Sequence, residues 1–402
     1  MVFASASSQR CVVLGVLTLF TTVIAAVAGV LATLFLHVVE HFFAELSHQH
    51  NPWVLPAAMC TAGLLAGFGW WVIRTRPLPG LNTVIAQKSA EFPVLRTSVD
   101  AALQIFIVGA GASIGRETAP RQFAGALVHR LGLLFKLTSE DRTVLVATGA
   151  GAALAAVYNT PLAGIAYTLC IMLTQRTVSA AVMASITSVG AVLLSRLVLG
   201  SAAYYVFPQT SVSVGEWLWV LAVILVAPLV GGVFKILCTR VKKTSVPRHF
   251  LPLTVAVVLG VTGMSLWLSP DIGGNGVLVL KNGFAGNIGL GSFAALIVLK
   301  PLFTLLTLRS GAVGGVLTPA LALGAAVGGT AGELLSQDAL VPVFMAVGAA
   351  AVLAVSENSI LFGSLFMVEL IHAPLHLWFA VIVACAGAVY VHRKLIEGLI
   401  AD

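Results

Sequence analysis

Long apolar runs alternate with short polar segments along most of the chain. Runs close to the length of about 20 residues that a helix needs to cross a bilayer lie at 11–39, 53–73, 143–173, 178–199, 216–238, 251–268, 290–307, 341–355 and 361–391. Some of them are interrupted by Gly, Asn or Pro, as at 158–161, and the runs 101–115 and 117–128 are too short to span. Broken helices occur at membrane depth only where protein or a polar cavity covers their backbone. The pattern predicts an all-α polytopic membrane protein with broken and re-entrant helices.

Composition narrows the class of protein further. Of 402 residues, 59% are hydrophobic and only 9% are charged, whereas soluble domains carry roughly a quarter charged residues. This balance excludes a soluble enzyme, a disordered chain and a nucleic-acid-binding domain, and it makes the lipid bilayer the main surroundings of the chain. The net charge of +7 comes from short basic clusters between apolar runs, which act as membrane-orientation signals. The five Cys and nine His form no cluster with metal-ligand spacing, so no metal site is predicted.

The sequence also contains an internal repeat. A shift of 199 residues places 147–168 on 346–367 with nine of 22 positions identical, including Asn159 on Asn358. The same shift aligns residues of two further motifs: Gly115 with Gly314, Pro120 with Pro319 and Gly125 with Gly324. Because a single shift aligns motifs that are separated in the sequence, we infer that the two halves of the chain arose by duplication.

Basic residues indicate opposite orientations for the two halves. The segment 130–142 contains three Lys or Arg and its counterpart 329–341 none, whereas 40–52 has none and its counterpart 239–251 has four. Because positive charge marks cytoplasmic loops, equivalent loops lie on opposite sides of the membrane, as in inverted repeats that place a site near the midplane. We predict a cytoplasmic N-terminus at 1–10, a first half at 11–200, a second half at 214–395, and cytoplasmic loops at 74–76, 130–142, 240–248 and 393–394.

Two related motifs carry the candidate chemistry. They are Gly115-Arg116-Glu117-Thr118-Ala119-Pro120 and Gly314-Gly315-Val316-Leu317-Thr318-Pro319. In each, glycines precede a Pro, which suits the first turn of a new helix. A buried helix N-terminus exposes N–H groups and the positive end of the helix dipole, so it attracts anions. Two such ends would bind a small anion weakly enough to release it.

Glu117 is the strongest single candidate. An ionisable side chain at membrane depth costs roughly 2.5–3.5 kcal/mol and marks a functional position. Its carboxylate is itself an anion, so it competes with a permeant ion when deprotonated and withdraws when protonated. The alternative is an ion pair with Arg116 in a water-filled vestibule, which neighbouring helix positions disfavour.

These motifs resemble those of the CLC family of chloride channels and chloride/proton exchangers. GRETAP is similar to the family's GREGP, GGVLTP to its GGxFxP, and NTPLAG and NSILFG to its paired downstream helices, in the same order over about 11–395. The resemblance implies a CLC-like inverted repeat, a homodimer with one pore per subunit, chloride as the bound substrate without a cofactor, no CBS domains, and Glu117 as the external gate. The anion ligands that it implies lie at Gly115, Arg116, Glu117, Thr118, Val316, Leu317 and Thr318.

The sequence departs from the family pattern in three places. The inner segment GSGIP corresponds to 77–83, where Asn82 or Thr83 is the candidate anion ligand and a helix cap at Asn82 is the alternative. The central tyrosine is replaced by Pro374, and the internal proton-transfer glutamate is replaced by Ile171. Loss of that carboxylate mildly favours a passive channel over a proton-coupled exchanger, and both hypotheses stay open.

Three alternatives to chloride transport remain. A fluoride-exporting branch of the family also departs from GSGIP, although its characteristic Glu would fall at Gly315 or Val316. An intramembrane serine hydrolase would use Ser113 in a GxSxG pattern, although both flanks are predicted membrane helices. The third alternative is a scaffold or sensor that keeps the fold without transport. The compact chain suits a bacterial inner membrane.

Overall fold

The computed structural model describes residues 6–88, 91–208, 223–243, 246–335 and 340–397. Residues 1–5 of the predicted N-terminal segment and the predicted boundary at 214 lie outside this part of the chain. The described residues form helices joined by short loops, and an isolated antiparallel bridge pairs Gly115 with Gly315. The predicted all-α fold is confirmed.

The described residues before position 200 form eight α-helices. They are α1 (Ala6–Ser47), α2 (Val54–Ile73), α3 (Leu81–Gln87), α4 (Val94–Gly109), α5 (Thr118–Leu134), α6 (Ser139–Tyr158), α7 (Pro161–Tyr167) and α8 (Val178–Leu199). A π-helical turn at Thr168–Met172 continues α7.

The described residues after position 222 form a second series of α-helices. They are α9 (Val223–Lys243), α10 (Leu251–Ser265), α11 (Val277–Phe284), α12 (Leu290–Arg309), α13 (Leu317–Leu334), α14 (Val341–Glu357), α15 (Ile360–Leu370) and α16 (Leu375–Val391). Short 3₁₀ turns at Arg248–Phe250 and Pro270–Ile272 flank α10, and a π-helical turn at His392–Glu397 follows α16.

Seven helical segments of the described chain are long and apolar enough to cross a membrane. They are Arg10–Ser47, Val54–Ile73, Val178–Leu199, Val223–Lys243, Arg248–Ser265, Leu290–Arg309 and Leu375–Lys394. In these segments a third to less than half of the most apolar window is buried inside the protein. The remaining apolar surface is what a helix in contact with lipid presents.

The run predicted at 143–173 is broken where the Asn-Thr-Pro sequence stands. Asn159 ends α6 in the left-handed conformation with φ of 59°, which Asn tolerates better than most residues. Pro161 begins α7, where its missing N–H leaves no helical bond unmade. Asn358, aligned with Asn159 by the repeat, ends α14 in the same conformation with φ of 52°.

Each of these asparagines also accepts a hydrogen bond from an arginine. Arg196 Nε donates to Asn159 Oδ1 at 2.7 Å, and Arg393 Nε donates to Asn358 Oδ1 at 2.9 Å. The two asparagines therefore have the same backbone conformation and the same type of hydrogen-bond partner, an arginine.

Contacts divide the chain into two compact units. Unit 1 comprises Met1–Leu34, Arg76–Ala101 and Ala119–Ala202, and unit 2 comprises Phe35–Thr75, Ala102–Thr118 and Ala203–Asp402. These units group residues differently from the predicted halves 11–200 and 214–395. The division into halves stays a prediction.

Small side chains form the core of unit 1. The buried cluster consists of Ala25, Ala26, Ala28, Ala124, Ala152, Ala153, Ala156 and Ala191. A Cβ atom added to Gly29 would lie 2.6 Å from the Cβ of Ala156. Close packing through small residues is the usual way in which membrane helices associate, because lipid gives no hydrophobic drive between them.

Glycines play the same role in unit 2. A Cβ on Gly63 of α2 would lie 2.7 Å from the carbonyl oxygen of Val255 in α10. In α13, added Cβ atoms on Gly324 and Gly328 would overlap the backbone of α14, at Gly348 and Phe344 respectively. The backbones of α13 and α14 are thus in direct contact, which holds the two helices close together.

Candidate anion-binding site

The two predicted motifs meet within unit 2 through their glycines. The N–H of Gly115 donates to the carbonyl oxygen of Gly315, and the N–H of Gly315 donates to that of Gly115, both at 2.8 Å. Each strand of this bridge begins at a glycine with positive φ, Gly111 at 105° and Gly311 at 91°. Glycine populates this region without the steric cost that a Cβ atom brings.

The bridge differs by one residue from the alignment that the repeat predicted. The shift of 199 aligned Gly115 with the residue before Gly315, whereas the bridge pairs residues 200 apart. The helices that follow begin at Thr118 and Leu317, which are 199 apart. The first motif therefore has one residue more between bridge and helix than the second, and the carboxylate of Glu117 lies in that longer connection.

The Glu117 carboxylate lies at the N-terminus of α13. The side chain is 0% exposed. Its Oε1 accepts a hydrogen bond from the backbone N–H of Leu317 at 2.7 Å, and its Oε2 accepts one from the hydroxyl of Thr318 at 3.2 Å. A backbone N–H at a helix start carries the positive end of the helix dipole, so a negative charge is stabilised at this point.

Two glycines make room for this carboxylate. A Cβ atom added to Gly115 or to Gly315 would overlap the carboxylate oxygens of Glu117. The carboxylate therefore packs directly against the backbone of both motifs. Any side chain at either glycine would push it away from α13.

Arg116 points to a different part of unit 2. The residue is 2% exposed, its Nη2 donates to the hydroxyl of Tyr204 at 2.7 Å, and its guanidinium carbon lies 5.3 Å from the centre of the Tyr204 ring. Burial of the guanidinium is compensated by this polar and aromatic surrounding.

A buried lysine supports the backbone that precedes Glu117 in the sequence. Lys300 of α12 is 1% exposed, and its Nζ donates to the carbonyl oxygens of Ile272, Gly273 and Gly274 at 2.9, 2.9 and 2.8 Å. The N–H of Gly274 then donates to the carbonyl oxygen of Gly111 at 2.9 Å. Lys300 thus holds the loop 272–274, which is hydrogen-bonded to Gly111, four residues before the first motif.

Ser113 also lies in this supporting network. Its hydroxyl is buried and lies 3.3 Å from the hydroxyl of Thr304, which in turn donates to the carbonyl oxygen of Lys300 at 2.9 Å. This surrounding assigns Ser113 a positioning role in the backbone of the motif.

Sequence reasoning did not select Tyr204 or Lys300. Lys300 carried a usable signal, because it is an ionisable residue within the apolar run 290–307, the same criterion that selected Glu117. Tyr204 lies in a loop 88 residues away from Arg116, and no local pattern marks it.

The other predicted ligands are placed as follows. Unit 2 brings together four of them, Gly115, Glu117, Leu317 and Thr318. Val316 is the residue before α13, and Thr118 is the first residue of α5. Asn82 and Thr83 belong to unit 1, where both are exposed residues of α3. The helix cap proposed for Asn82 is wrong, because α3 begins at Leu81 and Gly80 precedes it in the extended conformation. The ligand roles of all these residues stay predictions.

Comparison with known proteins decides the family. The family model described as "Voltage gated chloride channel" matches residues 63–393. The chain belongs to the voltage-gated chloride channel family. It is 29% identical to the H(+)/Cl(-) exchange transporter ClcA of Vibrio parahaemolyticus, over 72% of this chain and 64% of that protein, and 32% identical to a ClcB-like protein of Ralstonia nicotianae, over 79% and 78%. It thus spans less than two thirds of the first of these relatives.

Solved structures with the same fold include two antiporters. A slow cyanobacterial Cl-/H+ antiporter aligns with a TM-score of 0.82 at 20% identity, covering 96% of this chain and 98% of that one. A CLC-type fluoride/proton antiporter aligns with a TM-score of 0.77 at 20% identity, covering 97% of both chains. The predicted CLC-like fold is confirmed, and the chain is a multi-pass integral membrane protein.

Family membership also decides between transport and catalysis. The matched family is one of channels and exchange transporters, so the chain is not an enzyme. The GxSxG pattern at 111–115 instead ends at Gly115, which forms the bridge to Gly315.

Proposed function

We propose that this protein moves chloride or a similar small monovalent anion across a membrane, with Glu117 as the gate. The observation that carries the proposal is the fully buried Glu117 carboxylate bound to the Leu317 N–H and the Thr318 hydroxyl. A halide makes the same hydrogen bonds that a carboxylate oxygen makes, so the side chain occupies the place that a permeant anion would take.

Opening the site requires that Glu117 leave it. Protonation removes the negative charge that the start of α13 stabilises, so the neutral side chain is held less strongly. The anion then replaces the carboxylate at the same donors. Binding by a helix N-terminus without a full positive charge stays weak enough for release.

Coupling to protons remains the open choice within this proposal. Relatives named as H(+)/Cl(-) exchange transporters support an exchanger, whereas Ile171 in place of an internal carboxylate supports passive conduction. Fluoride is the alternative anion. The characteristic Glu of the fluoride branch would fall at Gly315 or Val316, and neither is a Glu in this chain, which favours chloride over fluoride.

Flux from proteoliposomes tests the proposal. Chloride, fluoride and nitrate efflux are recorded beside a pH electrode for the wild type, for Glu117→Gln and for Glu45→Gln, an exposed glutamate of α1. We expect chloride and nitrate to exceed fluoride, and Glu117→Gln to lose proton-linked behaviour while anion flow persists. The Glu45→Gln control should behave as the wild type.

Each outcome of this experiment has a definite meaning. Wild-type chloride efflux without matching proton movement would reject exchange and leave the channel. Fluoride efflux above chloride would replace the anion assignment. An unchanged pH dependence in Glu117→Gln would contradict the role of Glu117, and no anion flux at all would favour the scaffold alternative.

We further propose a homodimer with one pore per subunit in a bacterial inner membrane. The resemblance of the motifs and the bacterial sources of the relatives support this arrangement. Native mass spectrometry of the purified protein should give twice the chain mass, and a monomer that transports at full rate would contradict it.

A further inference from the structure

A basic cavity opens within unit 1, and its lining contains none of the predicted anion ligands. Its volume is about 740 Å³, and its lining includes Arg76, Arg96, Arg130, His129 and Glu91. Three arginines against one glutamate give this cavity an excess of positive charge. The volume falls in the range of roughly 300–1,000 Å³ that is typical of sites for small organic ligands, far more than a single halide fills.

One arginine of the cavity is held by a hydrogen bond, and the other two are exposed. Arg96 donates from Nη2 to the carbonyl oxygen of Arg76, which joins the start of α4 to the segment before α3. His129, 2% exposed, packs edge-to-face on Phe92 with ring centres 6.0 Å apart. The side chains of Arg76 and Arg130 lie exposed at the rim. A planar guanidinium matches two oxygens of a phosphate at once, which distinguishes it from a general positive charge.

Apolar side chains flank the arginines. Leu133 lines the cavity. Next to it, Leu134 is 62% exposed and Phe135 50% exposed, and Leu95 beside Arg96 is 78% exposed. In a membrane protein such residues face lipid chains. Basic residues next to lipid-facing ones suit a ligand with a phosphate at one end and hydrocarbon at the other.

The charge pattern of the chain predicts on which side of the membrane the cavity lies. The loops 74–76 and 130–142, which supply Arg76 and Arg130, are among those predicted to be cytoplasmic because of their positive charge. The cavity would then lie at the level of the cytoplasmic head groups, where anionic lipids are available.

We propose that this cavity binds the phosphate of an anionic phospholipid head group. The same chemistry would accept a free phosphate compound from solution. Glu117 is not among the residues that line the cavity, and lipid binding is detected without transport, so failure of this proposal and failure of the proposed function are distinguishable.

Native mass spectrometry of the full-length, delipidated protein tests the proposal. Cardiolipin, phosphatidylglycerol and zwitterionic phosphatidylcholine are titrated separately, and inorganic phosphate is titrated as the soluble probe. The variants are Arg76→Gln/Arg130→Gln and the matched control Lys242→Gln/Lys243→Gln, which removes two exposed positive charges at the end of α9. We expect the anionic lipids to bind and phosphatidylcholine not to be retained.

The variants then locate the binding. Loss of two guanidinium contacts should weaken anionic lipid binding about tenfold or more, whereas the lysine control should stay within about twofold of the wild type because surface charges contribute little. Binding of inorganic phosphate with the same dependence on Arg76 and Arg130, without lipid retention, would support the phosphate site and assign a soluble source. Equal loss in both double variants, or no preference for anionic lipid, would overturn the proposal.

A second measurement on the wild type does not depend on variant folding. A phosphatidylglycerol analogue with a photoreactive head group is cross-linked in vesicles of phosphatidylcholine. The labelled peptides should contain residues 91–96 or 129–134, which border the cavity. Labelling confined to other segments would contradict the site.

Discussion

The Glu117 side chain is a buried carboxyl group whose lost contacts with water are replaced by local hydrogen bonds. An ionised carboxylate removed from water is unfavourable unless hydrogen bonds and a favourable field replace the lost solvent. Here the Leu317 N–H and the Thr318 hydroxyl supply the bonds, and the start of α13 supplies the field. Since a helix N-terminus serves any small anion in the same way, the proposed function expects the carboxylate and a halide to compete for one place.

Substitution of Gly315 by Ala tests this competition by displacing the carboxylate instead of neutralising it. The added methyl group would overlap the carboxylate, and Gly315 is not among the glycines with positive φ, so the backbone itself accepts Ala. We expect Glu117 to be displaced from α13, with anion flux at neutral pH raised several-fold and less dependent on pH.

The control for this variant is Gly291→Ala, because an added Cβ there meets no atom within 4 Å. Flux and pH dependence of the control should equal those of the wild type. A Gly315→Ala protein with the wild-type pH dependence would show that the carboxylate does not need this contact to close the path.

Lys300→Met should destabilise the protein, because it leaves three carbonyl oxygens without their donor. The expected loss is about 2–4 kcal/mol, measured as a lower midpoint of thermal unfolding in detergent. Lys281→Met, at an exposed position of α11, is the control and should change little. Equal stability of the two variants would contradict the supporting role assigned to Lys300.

At the scale of helices, glycine spacing decides which elements approach closely. Gly63 and Gly67 of α2 stand four residues apart and lie against the backbone of α10, and Gly324 and Gly328 of α13 stand in the same way against α14. Residues four apart share one face of a helix. These contacts fix the position of α13, and thereby the position of the N–H that binds Glu117.

Gly328→Ala should therefore lower stability, although Ala is the better helix former. The new methyl group would overlap the backbone at Phe344, and such overpacking typically costs about 1–3 kcal/mol. The control is Gly15→Ala in α1, where an added Cβ meets no atom within 4 Å. There the change should be neutral or stabilising by up to about 1 kcal/mol. Thermal unfolding of both variants tests this contrast, and a stabilised Gly328→Ala would contradict it.

The helix breaks show what the sequence can predict at this scale. Asn159 and Asn358 were aligned by the repeat, and both end a helix in the left-handed conformation, because this backbone state depends on the local residue. The shift of 199 residues, which aligned Gly115 with Gly314, did not predict that Gly115 pairs with Gly315. Alignment assumes equal lengths in both motifs, whereas the first motif has the longer connection that contains Glu117.

At the scale of the whole molecule, the sequence predicted the class and family but not the contacts over long distances. Apolar runs and charge counts depend on the solvent that each segment meets, so they predict a multi-pass membrane fold reliably. The contact between Arg116 and Tyr204 depends on tertiary structure and leaves no periodic signal. The helix cap at Asn82 was wrong for a local reason, because α3 begins one residue earlier, at Leu81.

The central claim is that an anion and the Glu117 carboxylate share the donors at the start of α13. Crystals of Glu117→Ala soaked in bromide test it most directly, since the substitution removes the competing carboxylate and bromide is located by its anomalous scattering. The account predicts a bromide peak within hydrogen-bonding distance of the Leu317 nitrogen and the Thr318 hydroxyl, and no peak at that place in the wild type with Glu117 bound. Bromide found elsewhere in the protein, with this position vacant in Glu117→Ala, would contradict the claim.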